Sequence, residues 1–241
     1  MTDAVLAVAN LSKQFGGLQA LRDVSFTVAA GEILGLIGPN GAGKTTLFNT
    51  LVGIHKVSAG SIRLEGREIA GRKPHRIAAL GLTKTFQNVA LFMDMSVLDN
   101  VLVGALLRQD LRSARVTAAA CLDRVGLGAV LHKRAGDLSF PERARVELAR
   151  ALATGPRVIL LDEVMAALNA VEMDAIMGLI RSLRADGLTI IVVEHHMRAI
   201  MTLCDRIVVL NFGQKIAEGS PAAIARDPQV VRAYLGREYQ A

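Results

Sequence analysis

One octapeptide limits what this chain can fold into more than anything else in it: Gly38-Pro39-Asn40-Gly41-Ala42-Gly43-Lys44-Thr45, a match to G-x-x-x-x-G-K-[ST]. The apolar run Ile33–Ile37 before it reads as a strand, and residues 45–52 after it read as a helix. In that setting the glycines let successive backbone N–H groups turn inward around a phosphate, and the helix N-terminus adds its positive end. Lys44 can then reach β and γ oxygens, and the Thr45 hydroxyl can ligate Mg²⁺. A plain structural turn is the alternative; the flanking strand and helix weigh against it.

A second element points the same way. Val158-Ile159-Leu160-Leu161 is fully apolar and delivers Asp162 and Glu163 at its carboxyl end, where open α/β sheets bind ligands. Asp162 is suited to hold Mg²⁺, usually through water, and Glu163 to polarise an attacking water. By itself such a strand is an ordinary strand-to-helix cap. Downstream of a phosphate loop, the chemical reading prevails.

The remaining punctuation divides the chain. Short β-branched or alternating runs at residues 5–11, 24–28 and 33–37, with a hairpin-like pair at 61–64, make the first part strand-rich. Residues 88–155 carry helical periods, such as Val97, Val101, Ala105 and Ala118, Cys121, Leu122, Val125, and read as an inserted helical subdomain. Strands at 158–161, 189–193 and 207–210 then alternate with helices at 170–184 and 197–203, the pattern of a parallel α/β sheet. The expectation is a single domain over residues 1–241, with a nucleotide-binding core and β subdomain in about 1–87 and 156–241 and the helical subdomain in about 88–155.

Composition narrows the partners. With 241 residues, 51% apolar and 21% charged, the chain is not a disordered one and can bury a core without staples. Cys121 and Cys204 lie apart, with no His/Cys cluster at metal spacing, so neither zinc nor a redox pair is expected. No leader pattern opens the sequence, and no stretch reaches the roughly 20 uncharged residues of a bilayer span, so a cytoplasmic chain is expected. Yet a mean hydropathy of +0.37 is high for a free monomer and points to apolar surface that meets a partner. The positive excess sits in residues 56–150, which hold 16 Lys/Arg against 9 Asp/Glu. Such a face fits a solvated helical surface, an anionic leaflet or nucleic acid; without interleaved aromatics, nucleic acid is not the expected partner.

In their order, these motifs resemble those of the ATP-binding cassette (ABC) ATPases over almost the whole chain: Gly38 to Thr46, Thr85-Phe86-Gln87, Leu138-Ser139 before a basic helix, Leu160 to Glu163, and Val193-Glu194-His195. The resemblance implies an α/β P-loop NTPase of ABC type, with an antiparallel β subdomain and an inserted helical subdomain, that binds ATP and Mg²⁺ and hydrolyses ATP. It implies that Thr46 joins Gly38 through Thr45 in holding the nucleotide and that Phe15 stacks on adenine. It further implies that Gln87 touches Mg²⁺ or the nucleophilic water, that His195 contacts the γ-phosphate, and that Ser139 offers its hydroxyl to ATP held by another subunit. Lys44, Gln87, Glu163 and His195 form the expected catalytic set; Thr45, Gln87 and Asp162 form the expected metal set. Plain alternatives stand beside these: a strand-end core position for Phe15, a surface position for Gln87, and a core or cap position for His195, whose neighbour His196 leaves the choice of ring open.

One departure matters. The family's signature is usually Leu-Ser-Gly-Gly-Gln, but here it reads Leu138-Ser139-Phe140-Pro141-Glu142. Pro141 has no N–H to donate, although Ser139-x-x-Glu142 is a sound capping box. With an intact site of its own and a damaged signature offered to its partner, the chain would weaken one site in a heterodimer and both in a homodimer; an asymmetric heterodimer is expected. Val164, Ala167 and His196 are lesser departures, where relatives usually show Pro, Gly and Asp.

Within the family the resemblance is greatest to the ATPase subunits of branched-chain amino acid importers. It is carried by Thr83-Lys84-Thr85-Phe86-Gln87-Asn88, Leu91-Phe92, Val97-Leu98-Asp99-Asn100-Val101 and the tail from Ala217-Glu218-Gly219 to Ala233-Tyr234-Leu235-Gly236. That implies a second, different ATPase subunit, two transmembrane permease subunits, a separate solute-binding protein and a place on the cytoplasmic face of the plasma membrane. The apolar helix near residues 95–107 fits the surface that receives the permease; a core helix is the alternative. Lipopolysaccharide-export ATPases are similar at the tail but usually lack the TFQN stretch. Other rivals are a soluble ABC protein acting on DNA or ribosomes, a non-hydrolysing cassette, and a small GTPase or P-loop kinase. Against the last pair stands the lack of an Asn-Lys-x-Asp guanine-reading motif.

Overall fold

Every residue of Ile33-Leu34-Gly35-Leu36-Ile37 is apolar or glycine, so the run belongs where both faces of a strand are covered. In the computed structural model, which describes residues 4–86, 90–166 and 168–235, it forms β3 (Ile33–Ile37), buried at all five positions. The strands β7 (Val158–Asp162) and β8 (Thr189–Val193) are buried likewise. With β6 (Leu82–Lys84) and β9 (Arg206–Asn211) they make a parallel sheet in the order β9-β3-β8-β7-β6, and β10 (Gln214–Gly219) adds an antiparallel edge to β9. The register sets Asp162 beside Val193, so β7 and β8 end level and release Glu163 and Glu194 at one rim.

A second, antiparallel sheet has the order β2-β1-β4-β5, from β1 (Ala4–Phe15), β2 (Leu18–Ala29), β4 (Ala59–Leu64) and β5 (Arg67–Glu68). Its first two strands run further than the sequence pattern suggests, to a hairpin tip at Gly16-Gly17. Register shifts around Val8, Leu11 and Lys13, with Asn10 at φ 48°, break the alternation that pattern reading depends on.

The period of two along β3 divides the core. Leu34 and Leu36 face the antiparallel sheet and helix α1 (Lys44–Leu51), joining Leu47, Phe48 and Leu51. Ile33 and Ile37 face the other way, into a cluster with α3 (Val97–Ala105), α5 (Phe140–Ala153) and α6 (Ala170–Ala185). The short α2 (Pro74–Leu80), which starts on proline and ends on Gly81 at φ 109°, turns the chain into β6. The described helices between β6 and β7 are mainly α3, α4 (Leu111–Arg124) and α5, with α3 and α4 packing on α5. A Cβ at Gly104 would lie 2.3 Å from Arg150 O, so only glycine lets α3 approach α5 this closely. Buried Asn100 closes the loop before α3, accepting from Phe92 N at 2.8 Å and donating to Phe92 O and Ser96 O at 3.0 Å. Cys204 is buried, its thiol pushed up to about 12 by desolvation. The chain closes on α7 (Met197–Leu203), α8 (Pro221–Ile224) and α9 (Pro228–Leu235). No helix among the described residues is long and apolar enough to cross a membrane.

Candidate nucleotide site

The loop from Gly38 to Gly43 leaves β3 and enters α1 at Lys44. A Cβ on Gly38 would stand 2.2 Å from Leu210 O, so the glycine is what allows the loop to lean on β9. Gly43 N-caps α1 at φ 103°, a conformation that disfavours any side chain. The turn between β9 and β10 braces the loop: Gly213 N donates to Ala42 O at 3.0 Å, and Arg22 N donates to Gly213 O at 2.8 Å. Lys44 is buried, and its Nζ donates to Gly38 O at 2.7 Å and Pro39 O at 3.3 Å. Desolvation holds its pKa below the usual lysine value, although Glu163 and Asp162 pull the other way.

A cavity of about 690 Å³ opens over this loop. Asn40, Gly41, Ala42, Gly43, Lys44, Thr45 and Thr46 form its floor; Glu163 and His195 stand on one wall, and Leu18 and Phe212 are among the residues lining the rest. The structure thus gathers the loop, the carboxylate after β7 and the histidine after β8 around one space. Gly38 and Pro39 lie just outside the lining, as the loop's anchor.

Glu163 follows the last residue of β7 in a left-handed conformation, φ 53°, which costs on the order of 1 kcal/mol for a residue with a side chain. The surroundings hold it there: its N–H donates to Val193 O at 2.9 Å and its carbonyl accepts from Ala166 N at 3.1 Å. His195 Nε2 lies 2.8 Å from Glu163 Oε1. The ring beside the carboxylate is therefore His195, while His196 serves as N-cap of α7. Glu194, 3% exposed, turns inward and accepts from Met165 N at 2.8 Å, fastening the segment after Glu163 to the end of β8.

Asp162 is 1% exposed, and neither of its carboxylate oxygens has a hydrogen-bond partner among the described residues. Burial raises its pKa above the usual aspartate value, Lys84 at 3.5 Å pulls it back, and Glu163 pushes it up again. A buried carboxylate with open acceptor positions near a phosphate loop suits a hard divalent cation. Among the described residues no three His, Cys, Asp or Glu side chains converge on a metal. A cation here would complete its shell from phosphate oxygens and water, as Mg²⁺ does, so the residues present fit that ion.

Phe15 and Ser139, like Asp162, are not in the cavity lining. Phe15, 41% exposed, sits at the hairpin tip with its ring edge-on to His55, centroids 5.0 Å apart, and with Lys13 Nζ 4.4 Å from its own centroid. Ser139 caps α5 as a capping box, its N and Oγ donating to Glu142 Oε2 at 2.8 and 2.7 Å, which places Pro141 in the first helical turn. Gln87 lies outside the described residues, as does Ala167.

Sequence reading missed Lys84, Glu194, Phe212 and the pair Glu147–Arg150. Glu147, buried on α5, accepts from Ala90 N at 3.4 Å, and Arg150 Nη1 donates to Ala90 O at 2.7 Å, so α5 grips the segment that follows β6. Their only signal is position: a charged residue inside a stretch that is otherwise apolar on one face.

A family model described as "ABC transporter" matches residues 21–166, and one described as "Branched-chain amino acid ATP-binding cassette transporter" matches residues 214–240. The chain is 39% identical to the high-affinity branched-chain amino acid transport ATP-binding protein BraF of Pseudomonas aeruginosa, over 98% of this chain and 99% of that one. It is also 39% identical to the lipopolysaccharide export system ATP-binding protein LptB of Acidithiobacillus ferridurans, over 98% of each. Among solved structures, the ADP conformation of MJ1267, an ATP-binding cassette of an ABC transporter, superposes with a TM-score of 0.89 at 30% identity, over 98% of this chain and 100% of that one.

Proposed function

This chain belongs to the ABC transporter family of ATP-hydrolysing cassettes, and from that premise we propose that it is the cytoplasmic subunit that energises an importer of branched-chain or related amino acids. The observation that carries the chemistry is the meeting of Lys44, Glu163 and His195 in one cavity. The Thr85-Phe86-Gln87-Asn88 stretch, together with identities of up to 40% to branched-chain transport ATP-binding proteins against 36–39% to lipopolysaccharide-export ones, favours that substrate class over lipopolysaccharide export.

ATP would lie with its phosphates on the amides of the Gly38–Thr46 loop and at the N-terminus of α1. Lys44 Nζ, already held over the loop, then carries positive charge to the β and γ oxygens. Thr45 and Asp162 are the residues that would hold Mg²⁺, with Gln87 added by resemblance. When bound, that ion neutralises charge on the phosphoryl oxygens. Glu163 accepts a proton of the attacking water, and His195, 2.8 Å away, fixes the carboxylate's direction. Phe15 is the proposed stacking ring for adenine, set at the hairpin tip beside the cavity rim formed by Leu18.

A second cassette would close the site, offering its own signature to this chain's ATP while Ser139 faces the partner's nucleotide. We read residues 88–155 as the helical subdomain that turns with this closure. The segment before and along α3 exposes Phe92, Met93, Met95, Val103 and Leu106, the surface proposed to receive a permease subunit. Lys44→Ala and Glu163→Gln should each remove most hydrolysis, Glu163→Gln while nucleotide still binds; wild-type turnover in either refutes the mechanism. Co-purification of the tagged chain from its native membranes should recover a second cassette and two permease chains. Recovery of lipopolysaccharide-export components instead would replace the substrate assignment.

A further inference from the structure

Lys84 closes β6 and points into the protein: its side chain is only 7% exposed. The parallel register sets it beside Leu160, and its Nζ stands 3.5 Å from Asp162 Oδ2. A direct tether holds the ammonium in place, since Nζ donates to Asn49 Oδ1 of α1 at 2.8 Å, and the ring of Phe86 lies 5.0 Å from it. This cation is therefore tethered by Asn49 and faced by the Phe86 ring besides its ion pair with the carboxylate. Both Asp162 oxygens stay open as acceptors, so Lys84 compensates their charge without filling their coordination positions.

We propose that Lys84 is a resident countercharge that competes with Mg²⁺ for Asp162 and thereby sets how strongly the metal couples to nucleotide binding. The proposal rests on the reading of Asp162 as a metal carboxylate. A lone buried carboxylate is costly in the metal-free protein, and a fixed ammonium removes much of that cost. The same ammonium repels an incoming divalent ion across a few ångströms of poorly screening interior. Asn49 and Phe86 give it somewhere to remain when the carboxylate turns to the metal. Lys84 is a positioning residue in this account; it touches neither phosphate nor water.

The test measures binding of a fluorescent ADP to the full chain at pH 8.5, in EDTA and in saturating Mg²⁺; the ratio of the two dissociation constants is the metal coupling. Lys84→Met should enlarge that ratio roughly tenfold over wild type, on the scale of one charge removed beside a divalent ion. Lys84→Arg should restore the wild-type ratio, and Asp162→Asn should collapse it toward one. Lys84→Gln, which keeps a donor for Asn49, carries the same expectation as Lys84→Met should the methionine variant fail to fold. An unchanged ratio in the neutral variants, with Asp162→Asn collapsing as expected, overturns the role of Lys84 alone. Unchanged ratios in the neutral variants and in Asp162→Asn overturn the metal assignment and this proposal together. Absence of ADP binding by the wild type overturns the nucleotide reading itself.

Discussion

Glu194 shows how one buried residue can tie stability to pH. Burial, together with the nearby charges of Glu163 and Asp162, raises its pKa from 4.5 to about 7, although the N–H groups of Met165 and His195 favour the ionised form. The folded protein thus binds this proton more tightly than the unfolded chain does. The stabilisation is complete below pH 4.5 and is lost as pH rises through about 7. Glu194→Gln removes the titration but keeps an acceptor for Met165 N. Urea unfolding at pH 5 and pH 8 should therefore show the variant gaining on wild type by on the order of 3 kcal/mol as pH rises. A difference independent of pH counts against it. The placement of Lys44, Asp162 and Glu163 at strand and helix ends was legible beforehand because it is written in local spacing along the backbone. Glu194, Lys84 and Asn100 were not, since what makes each unusual is burial beside a partner distant in the chain. Spacing alone left His195 and His196 open and motif order favoured His195; the level ends of β7 and β8 bring that ring beside Glu163.

Among elements, α5 carries the sharpest consequence. Its capping box turns the Ser139 hydroxyl onto Glu142, and these two bonds hold the Glu142 carboxyl below the usual range. The positive end of the helix already has a carboxylate, and Pro141 offers no N–H to a phosphate. In a complex whose intact site is silenced by Glu163→Gln, replacing Phe140 and Pro141 together by glycine should speed the remaining ATP turnover by roughly 10- to 100-fold, the value of one hydrogen bond to a charged group. Turnover no faster than with Glu163→Gln alone refutes the reading of a damaged signature. A different test concerns packing: Gly104→Val should destabilise the fold by about 1 to 3 kcal/mol by forcing α3 away from Arg150 O, read as a lower urea midpoint. Strands β3, β7 and β8 were legible because complete burial writes itself as an unbroken apolar run. The full reach of β1 and β2 was hidden by their bulges, and β6, only three residues long, carries too little pattern to be read alone.

At the scale of the assembly, an intact catalytic wall and an altered signature in one chain imply two unequal sites. In a complex of this chain with a different cassette, Glu163→Gln here should remove most ATP turnover, while the matching change in the partner should remove little. Equal losses would mean two equivalent sites. The parallel sheet was foreseeable from alternating strands and helices, whereas the brace on the phosphate loop was not, because it arrives from a turn some 170 residues downstream. That brace bears on truncation. A fragment ending at residue 205 would retain Lys44, Asp162, Glu163 and His195, yet it would lack Leu210 and Gly213, on which the loop rests. Such a fragment should possess every reactive group and still be unable to grasp its fuel: in this molecule the last seventh of the chain is the hand's palm, and the phosphate-loop motif is only the fingers.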